Sequence, residues 1–223
     1  MTDSSDSPLI IVLSLLALIS AIGTIRANYS GQRNQVYVFK PLTTVLIITI
    51  AALGLEPPSL SYKWTIVAGL VFSLAGDIFL MLPTDRFVAA LISFLLAHVL
   101  YILAFSTIGG FYASMWSLLP FLLFGALFMI LMWRDLGSMR IPALIYALAI
   151  VIMAWQAYGN WQLTGQLPAL LAFIGALLFV VSDSVLTLNR FKFSFQAAQA
   201  VILSTYYVAQ WLIALSAGAV AWS

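Results

Sequence analysis

Cysteine is absent from the 223 residues, and charge is scarce, with Asp, Glu, Lys and Arg together making up 7% of the chain. The first absence excludes disulfides and thiolate metal sites. The second sets the chain apart from soluble domains, which are about one quarter charged. The net charge of +2 does not point to nucleic acid, because nine basic residues scattered over loops make no stripe. Histidine occurs once. There is no G-x-S-x-G nucleophile elbow and no phosphate-cradling Gly-rich loop, and the lone histidine has no Ser and Asp placed like a triad.

Apolar residues fill that space: 64% of the chain is hydrophobic, and mean hydropathy is +1.10. A bilayer span needs about 20 apolar residues. On that measure eight runs qualify, roughly 8–25, 38–55, 62–82, 87–106, 116–133, 141–158, 167–188 and 195–218. The expected fold is an all-α membrane protein, a single bundle over 1–223 with no separate soluble domain. The first run follows the acidic Met1–Ser7, so it reads as a retained helix rather than a cleaved signal. Alternate loops divide the basic residues unequally. Arg26, Arg33, Lys40, Arg86, Arg134, Arg140, Arg190 and Lys192 fall on one side, and only Lys63 on the other. The positive-inside rule then predicts cytoplasmic basic loops and both termini outside. Trp64, Trp116, Trp133, Trp161 and Trp222 lie near span ends, as interfacial anchors do.

Two carboxylates interrupt the apolar runs: Asp77 in Ala75-Gly76-Asp77-Ile78 and Asp183 in Val181-Ser182-Asp183-Ser184. Such a group costs several kcal/mol in hydrocarbon unless it is paired, hydrogen-bonded, hydrated or protonated. A shift of 106 residues superposes Asp77 on Asp183, Gly69 on Gly175 and Tyr101 on Tyr207. The pattern suggests two parallel four-helix repeats, 8–106 and 116–218, with both acids near the basic end. Gly69 and Ser73 share a face with Asp77 and would let a neighbouring helix approach closely.

Other polar residues are candidates for the same site. Lys40 opens the second span just before Pro41, where it either snorkels to the interface or pairs with an aspartate or a lipid phosphate. His98 and Tyr101 share a helical face, Gln210 lies one turn from Tyr206 and Tyr207, and Tyr146 projects from the sixth span. A packed, hydrogen-bonded core is the plainer reading for His98. One imidazole and two carboxylates could also ligate iron, zinc or manganese, yet no H-x-x-x-H or E-x-x-H spacing supports a metal.

Two carboxyls in a lipid-accessible cavity suit acid–base chemistry, one donating a proton while its partner activates water. Cleavage of an acetal-like or enol-ether C–O bond through an oxocarbenium-like transition state fits that division.

The chain resembles the YhhN family of eight-span membrane proteins. The resemblance rests on Lys40-Pro41, the run from Gly69 to Asp77, Phe94-Leu95-Leu96-Ala97-His98-Val99-Leu100-Tyr101, the run from Gly175 to Ser184, Arg190-Phe191 and Tyr206-Tyr207-Val208-Ala209-Gln210. It implies hydrolysis of the vinyl-ether bond of a lysoplasmalogen, a lysophospholipid substrate, to a fatty aldehyde and a glycerophospho-ethanolamine or -choline. It also implies no cofactor, with Asp77 and Asp183 as the catalytic pair. On this expectation Lys40 holds the phosphate, and Tyr101, His98, Tyr207 and Gln210, with Tyr146 on the pocket wall, orient water or headgroup. The rival expectation is a transporter or lipid-binding protein whose aspartates carry protons or a cation. A structural or receptor-like bundle is the third.

Overall fold

The structure is a computed structural model that describes residues 6–55, 57–112 and 114–218. Eight helices are present: α1 Asp6–Tyr29, α2 Arg33–Leu53, α3 Leu60–Met81, α4 Phe87–Ser106, α5 Met115–Met132, α6 Arg140–Thr164, α7 Leu167–Phe191 and α8 Ala198–Leu215. All eight are long and apolar enough to cross a membrane, and no strand occurs among the described residues. The chain is an integral multi-pass membrane protein.

Helices pack in chain order within 6–106 and again within 115–215, and the halves meet through α4 on α6 and α8 on α2. Between lipid-soluble helices the hydrophobic effect gives no net attraction, so close approach depends on small residues. Gly76 illustrates this: a Cβ there would fall 2.6 Å from the Phe94 ring of α4. About two turns earlier, Gly69 makes the same room for Tyr101. Outward positions such as Leu15, Ile19, Leu127 and Ile130 carry apolar side chains into the lipid.

Four connections gather at one end of the bundle. Tyr29 donates to Gln196 O (2.6 Å), Arg190 to Asp85 (2.7 Å), and Lys192 to Leu131 O (2.9 Å). The basic loops share this end. At the opposite end Lys63 donates to Gly54 O (2.8 Å) and Tyr62 pairs with Ser216 (2.8 Å). Trp64, Trp116 and Trp133 are exposed near helix ends, Trp161 stacks on Phe173, and Trp222 lies outside the described residues.

Two boundaries differ from the sequence expectation. The second helix begins at Arg33 rather than near residue 38, so Pro41 sits inside it and not in its first turn. Proline there removes a backbone donor. Ser20 and Thr43 both donate to Phe39 O (3.0 and 2.8 Å), supplying hydrogen bonds at the turn it weakens. The sixth helix runs on through Gly159 and Asn160 to Thr164 and stops only at Gly165, whose φ of +63° is a left-handed cap.

Candidate functional site

The added turns of α2 carry Lys40 inward, away from the membrane boundary where the sequence placed it. Lys40 is buried, with its Nζ 3.3 Å from Asp77 Oδ1 and donating to Asp77 O at 3.5 Å. Thr44, one turn further along α2, donates to Asp77 Oδ2 at 2.8 Å, and Tyr206 of α8 donates to the same oxygen at 2.8 Å. Asp77 is only 2% exposed. A buried charge persists when it is paired and its remaining lone pairs are filled, and Asp77 meets both conditions.

From Tyr206 the hydrogen bonds continue. Gln210 Nε2 donates to the Tyr206 hydroxyl (3.2 Å), and Tyr101 donates to Gln210 Oε1 (2.8 Å). Gln210 and Tyr101 therefore belong to the Asp77 cluster, at two and three steps' remove. Tyr207 does not join it: its buried hydroxyl has no hydrogen-bond partner among the described residues.

Asp183 on α7 has different company. The Tyr146 hydroxyl of α6 donates to its Oδ2, and His98 Nε2 of α4 lies 4.0 Å from that oxygen. His98 is fully buried, edge-on to Tyr146 (5.0 Å) and Phe179 (4.8 Å), and neither ring nitrogen has a hydrogen-bond partner. The neighbouring serines turn elsewhere, Ser182 to Ile202 O (3.0 Å) and Ser184 to Val180 O (2.7 Å).

Asp183 and Tyr146 face a groove between α4, α5, α6 and α7. Its free space is about 830 Å³ up to the open mouth, of which only about 70 Å³ is wide enough to seat the centre of a water molecule. It is a slot rather than a chamber. Apart from Asp183, Tyr146, Ser184 and Thr187, its walls are apolar side chains and one glycine, Gly125. Phe87, Phe191, Leu136 and Met139 stand at the basic end of the groove.

The two carboxylates thus sit in separate settings. No hydrogen bond or ion pair joins Asp77 to Asp183 among the described residues, and Asp77 is absent from the groove wall. Phe94 lines the groove on one side and packs on Tyr206 (5.9 Å) and Phe179 (6.3 Å) on the other. Phe179 in turn touches both Tyr206 (5.5 Å) and His98. Aromatic rings link the clusters. No group of three His, Asp or Glu side chains placed to hold a metal occurs among the described residues.

A family model for YhhN matches residues 35–217, a stretch that includes Lys40, both aspartates, His98 and the Tyr206–Gln210 run. The chain belongs to the YhhN family. It is 33% identical over 202 residues to a protein of Escherichia coli O157:H7 named "Uncharacterized membrane protein YhhN", covering 89% of this chain and 94% of that one. Human lysoplasmalogenase TMEM86A is 36% identical over 173 residues, with 68% of this chain and 64% of the human protein covered. Human lysoplasmalogenase TMEM86B is 33% identical over 180 residues, covering 72% and 66%. No solved structure matches this YhhN-family chain.

Thr44 and Tyr206 were not singled out as site residues from sequence. The signal for Thr44 was its spacing of four from Lys40, which puts both on one face of α2. Tyr206 is visible beside Tyr207; both are buried, and nothing in the sequence tells which of the two meets Asp77.

Proposed function

We propose that the protein is a membrane lysoplasmalogenase, hydrolysing the vinyl-ether bond of a lysophospholipid. The observation that carries this reading is one carboxyl, Asp183, held by a phenol donor in the wall of a largely apolar slot that runs to the basic end of the bundle, with a buried imidazole 4.0 Å behind it. The alkenyl chain lies in the slot and the phosphate stays at its mouth. By the positive-inside rule that end is cytoplasmic, and both termini lie outside.

Asp183 serves as acid and then as base. Its proton goes to the second carbon of the vinyl ether, leaving an oxocarbenium ion at the first. The resulting carboxylate takes a proton from a water in the slot, while His98 lies 4.0 Å from the same carboxyl and helps to set its orientation. The hydroxyl adds to the oxocarbenium carbon. The C–O bond of this hemiacetal then breaks, with Asp183 delivering a proton to the leaving glycerol oxygen and accepting the hemiacetal hydroxyl proton. One water is consumed, a fatty aldehyde and a glycerophospholipid leave, and Asp183 ends as it began. Tyr146 orients the carboxyl throughout. Asp77 acts from outside the slot as a positioning residue: its ion pair with Lys40 and its bond to Tyr206 hold the α2–α3–α8 wall on which Phe94 rests.

Purified protein with a vinyl-ether lysophosphoethanolamine tests the reading. Aldehyde release is expected from the wild type, with Asp183→Asn lowering kcat at least about 100-fold and Tyr146→Phe lowering it less. Substrate that crosses a vesicle bilayer unchanged, with no aldehyde, would make the protein a transporter instead.

A further inference from the structure

The mouth of the slot carries one cation and one anion held against each other. Arg190, at the end of α7, donates from Nη2 to Asp85 Oδ2 at 2.7 Å. Its guanidinium lies 4.0 Å over the Phe87 ring and 5.7 Å from that of Phe191, and both rings are part of the slot wall. Asp85 is fixed in turn, because its Oδ1 accepts from the Phe87 backbone N–H at 3.0 Å. Both charges are therefore held at Phe87, Arg190 over its ring and Asp85 on its backbone N–H. Both remain open to solvent, with side-chain exposures of 36% for Arg190 and 70% for Asp85.

We propose that Arg190 and Asp85 form a clamp for a zwitterionic headgroup, a phosphate followed two carbons later by an ammonium. This rests on the lysophospholipid reading of the slot. A lipid whose chain occupies the slot brings its phosphate to the guanidinium, which presents a planar fork of donors suited to phosphate oxygens. The ammonium then lies beside the Asp85 carboxylate. Each protein charge exchanges its present partner for the opposite charge of the headgroup, so neither is left unpaired. A guanidinium alone would accept any phospholipid. The adjacent carboxylate repels headgroups that carry only negative charge and makes the site selective. The Phe87 and Phe191 rings, set edge to face at 5.6 Å, keep the guanidinium flat when Asp85 lets go.

The test uses full-length protein in detergent and two measurements. The first is binding, by tryptophan fluorescence, of saturated ether lysolipids that cannot be hydrolysed, one with a phosphocholine and one with a bare phosphate head. The wild type is expected to prefer phosphocholine by about fivefold, as partly exposed ion pairs allow. Asp85→Asn should bring the two affinities together, Asp85→Glu should restore most of the gap, and Arg190→Gln should weaken both. The second is aldehyde release from vinyl-ether lysolipids with the same two heads, where Asp85→Asn should act through KM rather than kcat. If Asp85→Asn keeps the wild-type preference in binding, the clamp is wrong whatever the turnover shows. If the preference is lost on cue but no head yields aldehyde, the clamp stands and the hydrolase reading fails.

Discussion

Lys40 and Tyr146 are 106 residues apart in the chain, and each brings its polar head to the aspartate 37 positions further on. The first pair joins α2 to α3 and the second joins α6 to α7. What differs is the chemistry delivered. An ammonium pairs with the buried Asp77, whereas a phenol donates to Asp183, which lies in the slot wall. Two residues that look equivalent in sequence thereby stand in unlike surroundings.

The Lys40–Asp77 pair has a measurable signature. Removing one partner leaves a buried charge uncompensated, a loss of about 3–5 kcal/mol. Asp77→Asn and Lys40→Met should each lower the melting temperature in detergent sharply. The double variant Lys40→Met with Asp77→Asn should recover much of that loss, because no unpaired charge remains. Additive losses in the double variant would mean the two groups do not act as a pair.

Length and hydropathy made the eight helices and their order legible, since each run had to be apolar over the thickness of a bilayer. The starts and stops were less so. Arg33 to Tyr37 is polar enough to read as loop, yet it is helical, and that displacement alone moved Lys40 from the interface to the interior. The aspartates stood out because a carboxyl in hydrocarbon is costly wherever it lies. Their partners could not be read, because periodicity gives the face of a helix and not which helix it meets. Tyr206 and Tyr207 show the limit: adjacent in sequence, one donates to Asp77 and the other donates to nothing. His98 was visible as the only histidine, but its place beside Asp183 depends on α4 packing against α6.

His98 should trade stability for function. Two buried ring nitrogens without partners are a burden on the fold, of order 1–3 kcal/mol for each unsatisfied group. His98→Phe keeps a ring against Phe179 and Tyr146 while deleting both nitrogens. The expected outcome is an equal or higher melting temperature together with a kcat reduced about 10- to 100-fold. A variant that turns over normally would leave His98 no part in setting the Asp183 carboxyl.

Binding of the zwitterionic headgroup should depend little on pH near neutrality. The Phe87 backbone N–H, followed by the Arg190 guanidinium, holds the Asp85 carboxyl below its ordinary value of 3.8. A depressed carboxylate stays ionised above that value and loses its contribution only as pH falls through the lower, folded-state value. The affinity for phosphocholine, a diester head that does not itself titrate near neutrality, should therefore be flat from about pH 5 to pH 8 and fade only below about pH 4. A decline centred near pH 6 to 7 would point to a different titrating group, and binding isotherms across that range would reveal it.

The width of the slot should decide whether a chain enters it. Gly125 of α5 forms part of its wall, and a Cβ added there would meet Val151 Cγ2 of α6 at 3.0 Å. The rest of a leucine side chain must project into the space between α5 and α6. Gly125 stands seven residues from the basic end of α5 and Asp183 eight from that of α7, so the obstruction meets a bound chain at the level of its vinyl ether. Gly125→Leu should lower kcat/KM about tenfold or more for long and short alkenyl chains alike, corresponding to about 1.4 kcal/mol of lost interaction. A melting temperature in detergent close to that of the wild type separates this loss from one of folding. An unchanged kcat/KM in the folded variant would show that the chain does not lie between α5 and α6.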